Sequence, residues 1–153
     1  MKIMIKRIPE EGSQYEGDEP ASVLELEKDS FCQAVGDLHY DLYAQYISGE
    51  LVVRGTLAAD FGLTCARCSE FFSTTVVDSD FLRAYSVSEE VDSVDITPDM
   101  REDLLLQVPP FPVCSKRCRG LCSLCGADLN RGSCSCGPEG RSDMWSALDN
   151  LKL

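Results

Sequence analysis

Eight of the nine cysteines fall into four close pairs: Cys65-x2-Cys68, Cys114-x3-Cys118, Cys122-x2-Cys125 and Cys134-x-Cys136; only Cys32 stands alone. Eight thiolates are what two tetrahedral zinc sites consume, because structural zinc takes four N or S ligands, usually as two short-spaced pairs. In a C-x2-C turn the backbone curls so that both sulfurs face one point and the turn amides can donate to them. Cys65-Ala-Arg-Cys68 and Cys122-Ser-Leu-Cys125 have this form, the second followed by the flexible Gly126. Cys114 and Cys118, four apart, would meet on one face of a helical turn. Cys134 and Cys136, two apart, would lie on one side of an extended segment. Every pair can therefore chelate. Cys122, Cys125, Cys134 and Cys136 are close enough in sequence for a compact local site. That leaves Cys65 and Cys68 to join Cys114 and Cys118 across the chain, tying a β domain to the C-terminal segment. A single site of Cys114, Cys118, Cys122 and Cys125 is the competing assignment. The expectation is one or two structural zinc ions, with two preferred.

Catalytic chemistry finds little support. The one histidine, His39, sits on the polar side of a strand pattern, where a lone histidine is usually a surface residue. A catalytic cysteine normally needs a nearby base, and catalytic zinc keeps an open position that an all-thiolate set does not provide. No Gly-rich phosphate loop and no G-x-S-x-G elbow is present. A C-x2-C redox motif at Cys65 lacks the βαβ context of a thioredoxin fold. No enzymatic activity is expected. The N-terminal MKIMIKRIPEEG has no apolar core before Pro9 and does not read as a secretory signal, and no apolar run approaches a membrane span. A cytoplasmic protein without membrane contact is expected. There, paired cysteines are more often metal ligands than disulfides, and the odd count fits a disulfide scaffold poorly.

The elements that must position the thiols read as mainly β with a few helices, an α+β chain. An antiparallel meander or small barrel is expected over residues 1–85, then an acidic linker and helix over 86–110, then a cysteine-rich zinc-binding C-terminal lobe with a terminal helix over 111–153. The start offers a short strand (Ile3, Ile5, Ile8), a polar loop from Glu10 to Pro20 and an alternating VLELE segment from Val23. Leu38, Tyr40, Leu42, Ala44 and Tyr46 share one face of a period-two pattern, the mark of a strand with one buried side. Ser48-Gly49 makes a turn, and Leu51, Val53, Leu57 and Ala59 return. A further pair, Phe61–Thr64 and Phe71–Tyr85, flanks the CARC turn, giving four antiparallel strands. Thr97-Pro98-Asp99 is a helix start with Thr97 as cap, and Met100, Leu104 and Val108 would share its buried face until Pro109-Pro110. A last helix would begin at Ser142 and carry Met144, Trp145, Leu148 and Leu151.

Charge narrows the choice of partners. The 153 residues carry a formal net charge of −12, which argues against general nucleic-acid binding because counterion release is its main source of affinity. It suits a basic protein partner, such as a ribosomal protein or another RNA-binding polypeptide. The acids Glu89, Glu90, Asp92, Asp95, Asp99, Glu102 and Asp103 crowd one stretch and read first as a solvated loop. Lys116, Arg117, Arg119 and Arg131 decorate the cysteine-rich segment and are the candidate route to RNA contact.

LTCARCSEFF, an acidic gap, the helix DMREDLLLQVP, then FPVCSKRCRGLCSLCGADLN and a final CSC resemble, in that order over residues 38–151, the YceD family of large ribosomal RNA subunit accumulation proteins. Members commonly carry Asp-Pro-Arg before the last helix, where this chain has Arg141, Ser142 and Asp143. The resemblance implies a part in accumulation of the large-subunit (23S) ribosomal RNA, hence in ribosome biogenesis, and brings no catalytic site. An acidic adaptor for a basic ribosomal protein or assembly factor is the expected mechanism. The alternatives are a redox-switched zinc chaperone or sensor and an RNA-binding zinc module.

Overall fold

Alternation drives the architecture. A computed structural model describes residues 1–26, 31–88 and 90–136. Among the described residues the strands are β1 (Lys2–Met4), β2 (Ser13–Glu19), β3 (Cys32–Ile47), β4 (Glu50–Thr64), β5 (Phe71–Ser86) and β6 (Ser93–Asp95), followed by one helix, α1 (Thr97–Leu106). β2 to β5 form a four-stranded antiparallel sheet in the order β2-β3-β4-β5, an open meander, while β1 pairs with β6. The inner face collects Leu38, Leu42 and Ala44 from β3, Leu51, Val53, Leu57, Ala59, Phe61 and Leu63 from β4, and Val76 and Phe81 from β5. Ile3, Leu24, Ile96, Met100 and Leu104 cover this face and share one core with it.

The meander differs from the sequence expectation in which segments supply its strands. Leu51–Ala59 and Phe61–Thr64 are one continuous strand, β4, because Asp60 simply takes its turn on the outer face, where it accepts a hydrogen bond from Thr75 Oγ1 at 2.6 Å. The missing fourth strand is β2, drawn from the expected polar loop; it pairs with β3 from Ser13↔Ala44 to Glu19↔Leu38. This edge strand has one exposed and one only half-buried face, and its residues SQYEGDE are nearly all polar, so hydrophobic alternation does not mark it and backbone pairing decides its place. The VLELE segment opens not as a strand but as a 3-10 turn, Ala21–Leu24, with Glu25 left-handed. Leu24 is thereby driven into the core. The expected strand over Ile3 to Ile8 stops at Met4 and continues as a 3-10 turn, Ile5–Arg7.

The acidic stretch is not simply solvated. Asp92 pairs with Lys6, and Val94 sits opposite Ile3 in the β1–β6 pair. Thr97 is not the helix cap expected of it. It begins the helix itself, and Asp95 Oδ1 accepts from both its amide, at 3.0 Å, and its hydroxyl, at 2.6 Å. Those two Thr97 bonds hold the Asp95 carboxyl below its ordinary range. Asp99 and Asp103 clamp α1 to β5. Tyr85 donates its hydroxyl to Asp99 Oδ2 at 2.6 Å, and Arg83 binds Asp103 and lies 3.7 Å from Asp99. Burial first, then the Asp99 carboxylate, pushes the Tyr85 hydroxyl up. The sheet is thus braced on one side by α1, and the β4–β5 hairpin carries the first cysteine pair at its tip.

Candidate metal centres

The β4–β5 turn is shaped for chelation by its own backbone. Cys65 N donates to Glu70 O at 2.8 Å, and Ser69 N returns to Cys65 O at 2.9 Å, with Ser69 in the left-handed region at φ 59°. The Arg67 amide meets Cys65 Sγ at 3.4 Å. The second C-x2-C turn repeats this arrangement. Cys122 N donates to Ala127 O at 2.8 Å, Gly126 N to Cys122 O at 2.9 Å, and the Leu124 amide meets Cys122 Sγ at 3.4 Å. Gly126 takes the left-handed place, at φ 72°. Two unrelated stretches of chain therefore adopt one knuckle, each with a pair of sulfurs turned to the same side.

All four cysteine pairs come together in two groups. Cys65, Cys68, Cys114 and Cys118 form an inner cluster, and Cys122, Cys125, Cys134 and Cys136 an outer one; within each, the sulfurs lie within 4.8 Å of one another. Cys114, Cys118, Cys122 and Cys125 are not gathered as a set. Cys32 lies apart, on β3. Across the inner cluster Cys65 Sγ is 3.8 Å from Cys118 Sγ, and Cys68 Sγ is 3.7 Å from Cys114 Sγ. A tetrahedron with metal–sulfur bonds of about 2.3 Å has sulfurs about 3.8 Å apart, whereas a disulfide needs about 2.05 Å. The spacing fits a metal-sized centre, and none of the eight paired cysteines is joined in a disulfide. Cys114 and Cys118 reach it on a turn closed by Cys118 N→Ser115 O at 3.1 Å rather than on the expected helical turn. Pro112 precedes that turn and lends its carbonyl to Ala66 N at 2.8 Å, which ties the segment to the β hairpin instead.

Electrostatics within each cluster favour a cation. The Cys65 thiol is lowered to about 6, chiefly by the Cys114 backbone amide, then, against burial, by the amides of Arg67 and Cys68. Cys122 is lowered to about 6 by the amides of Cys125 and Leu124. Each has a counterpart held the other way. Cys68 is pushed up to about 12 in spite of the Glu70 amide, by burial and by the three neighbouring thiols. Cys136 is pushed up to about 12 by Cys125 and by burial. One thiol ionises readily and another resists, because four negative sulfurs at this distance repel one another unless a cation stands between them.

The inner cluster is the more enclosed. Cys65, Cys68 and Cys118 are 1%, 5% and 6% exposed, packed against Phe72. Its lid is the chain from Pro112 to Arg131. Leu121 N donates to Arg67 O at 3.0 Å, Arg67 Nη1 to Cys118 O at 3.1 Å, and Arg131 pairs with Glu70. Gly120, at φ 75°, permits this closeness, since a Cβ there would stand 2.9 Å from Arg67 O. Sequence reasoning did not single out Asn130, whose Nδ2 donates to Cys118 Sγ at 3.5 Å while its Oδ1 accepts from Arg119 N at 2.7 Å. Nothing in its local pattern signals this, because the contact is made across the fold. Of the basic candidates, Lys116, Arg117 and Arg119 are exposed, whereas Arg131 is engaged by Glu70 and Asp128. His39 is exposed on the outer sheet face beside Asp18. The expected helix from Ser142 to Leu151 lies outside the described residues.

Comparison with known proteins agrees with these motifs. The model of the family described as large ribosomal RNA subunit accumulation protein YceD matches residues 53–152, the span that contains all four cysteine pairs. The chain is 35% identical over 63 residues to the large ribosomal RNA subunit accumulation protein YCED homolog 1, chloroplastic, of Arabidopsis thaliana. That alignment covers 41% of this chain and 20% of the relative. It is 41% identical over 46 residues to the protein of the same description from Zea mays, covering 29% of this chain and 16% of the relative. The chain thus matches a fifth or less of the length of these curated relatives. No solved structure matches it. With most of its length matched and the paired cysteines inside the match, the chain belongs to the YceD family.

Proposed function

We propose that this chain supports accumulation of large-subunit ribosomal RNA as a non-catalytic adaptor in a reducing, cytosol-like compartment. In this reading it binds a basic ribosomal protein or assembly factor, and two structural zinc ions fix its C-terminal lobe. Zinc suits the donor set, since four thiolates per site are its common structural ligands and leave no open position for a substrate or water. No helix of the described residues is long and apolar enough to cross a membrane.

One observation carries the choice of adaptor over direct RNA binding: the outer sheet face is acidic. Glu16, Asp18, Asp41, Asp60 and Asp80 are exposed there, against Arg54 and His39. Phosphate is repelled by such a face and a basic polypeptide is attracted to it. A second reading, RNA contact through Lys116, Arg117 and Arg119, rests on their exposure near the clusters. It is weakened because each zinc with four thiolates has a net charge of about −2.

The test uses the full zinc-loaded chain, purified large-subunit ribosomal proteins and protein-free large-subunit rRNA. The adaptor reading expects saturable binding to one or more basic proteins, weakened by salt and by the pair Asp41→Lys and Asp80→Lys, and unchanged by Lys116→Glu with Arg117→Glu. Binding to the bare rRNA that Lys116→Glu with Arg117→Glu abolishes would overturn it in favour of the RNA module.

A further inference from the structure

Asn130 belongs by sequence to one cluster and by contact to the other. It lies between Cys125 and Cys134, inside the loop that closes when the outer cluster binds its ion. Its carboxamide leaves that loop and donates Nδ2–H to Cys118 Sγ of the inner cluster at 3.5 Å. The side chain is held from several sides. Asn130 N and Nδ2 both donate to Asp128 Oδ1, at 2.9 and 2.8 Å, and its Oδ1 accepts from Arg119 N at 2.7 Å. Leu129 N donates to Gly120 O at 2.9 Å, and Leu121 bridges to Asp128 across the same loop.

We propose that Asn130 is a positioning residue that couples the two clusters, so that a filled outer site tightens the hold of the inner site on its metal. The physical ground is twofold. A thiolate that accepts a hydrogen bond shares its negative charge and repels the other three sulfurs less, so the loaded inner site is favoured. The donor sits in the loop between Cys125 and Cys134, so closure of the outer site adds a constraint to the hydrogen bonds that already hold Asn130. The outer cluster is the more accessible of the two, so it loads and empties first. The coupling then gives the lid over the sheet two levels of hold rather than one.

This inference rests on the zinc reading, and the experiment separates the two. The full chain is loaded with zinc, its content measured, and release to a chromogenic chelator followed; the same proteins are then loaded with cobalt(II) and their thiolate charge-transfer bands recorded. A wild type without two metal ions per chain would sink the zinc reading itself. With two ions bound, the variants decide the coupling. Asp128→Asn alone keeps an oxygen acceptor for Asn130 and should behave as wild type. Asp128→Asn with Asn130→Asp keeps the acceptor for Arg119 N, avoids a carboxylate pair, and removes the proton offered to Cys118. It is expected to lower inner-site affinity by about 10–100-fold, the usual effect of losing an outer-shell partner, and to shift the inner-site cobalt bands. Cys122→Ser with Cys125→Ser, which disables the outer site, should loosen the inner site to a similar degree. Unchanged inner-site release and spectrum in the Asn130 variant would overturn the proposal. So would an inner site indifferent to loss of the outer cysteines.

Discussion

Replacing Cys118 by serine is expected to remove one metal ion per chain and to free the lid from the sheet. A serine hydroxyl is a poor zinc ligand, and Cys118 supplies a buried sulfur 3.8 Å from Cys65 in the inner cluster. Structural zinc contributes on the order of 10–16 kcal/mol of apparent binding free energy in small metal-dependent folds. What remains to hold the lid is a short set of bonds: Ala66 N→Pro112 O, Leu121 N→Arg67 O, Arg67 Nη1→Cys118 O and the exposed Arg131–Glu70 pair. Each net hydrogen bond is worth about 1 kcal/mol, and an exposed ion pair no more than that. Hydrogen exchange should therefore accelerate strongly at the Ala66 and Leu121 amides, while Leu42 and Leu57, in the sheet core, keep their protection. Equal protection at all four in the variant would show that metal does not hold the lid.

Phe61→Ala is expected to cost about 3–5 kcal/mol, the range for removing a large aromatic from a close-packed core. Phe61 is fully buried on the inner face of β4. Total stability of a domain this size is about 5–15 kcal/mol, so the variant should melt far earlier or fail to fold. Phe71 supplies the contrast. It is 54% exposed and lies across Gly62 on the outer face, so Phe71→Ala should cost under about 1 kcal/mol. Chemical denaturation of the two variants side by side checks the assignment of faces; similar losses would mean that the outer face is covered after all.

How far the sequence discloses this structure depends on which force places each residue. The inner faces of β3 and β4 are legible because Leu38, Leu42, Leu51, Val53 and Leu57 alternate over a long enough run to specify one buried side. The knuckles are legible because short-range chelation leaves its spacing in the chain. β2 is not legible, since Ser13–Glu19 is held by backbone pairing to β3 and has no fully buried side chain to mark it. The acids of α1 look solvated in sequence, but Asp99 and Asp103 meet Arg83 and Tyr85 only once β5 is in place. The grouping of the sulfurs follows from local spacing for the outer cluster. For the inner one it depends on the β4–β5 tip meeting residues 112–121. Asn130 is the extreme case, an ordinary polar residue whose role comes entirely from a contact across the fold.

The most direct test of the account is metal content per chain in protein purified without added zinc, with thiol titration before and after chelation. Two zinc ions and one titratable thiol, Cys32, are expected before chelation, and nine thiols after it. Metal-free protein with the paired cysteines joined as disulfides would contradict the two-centre account.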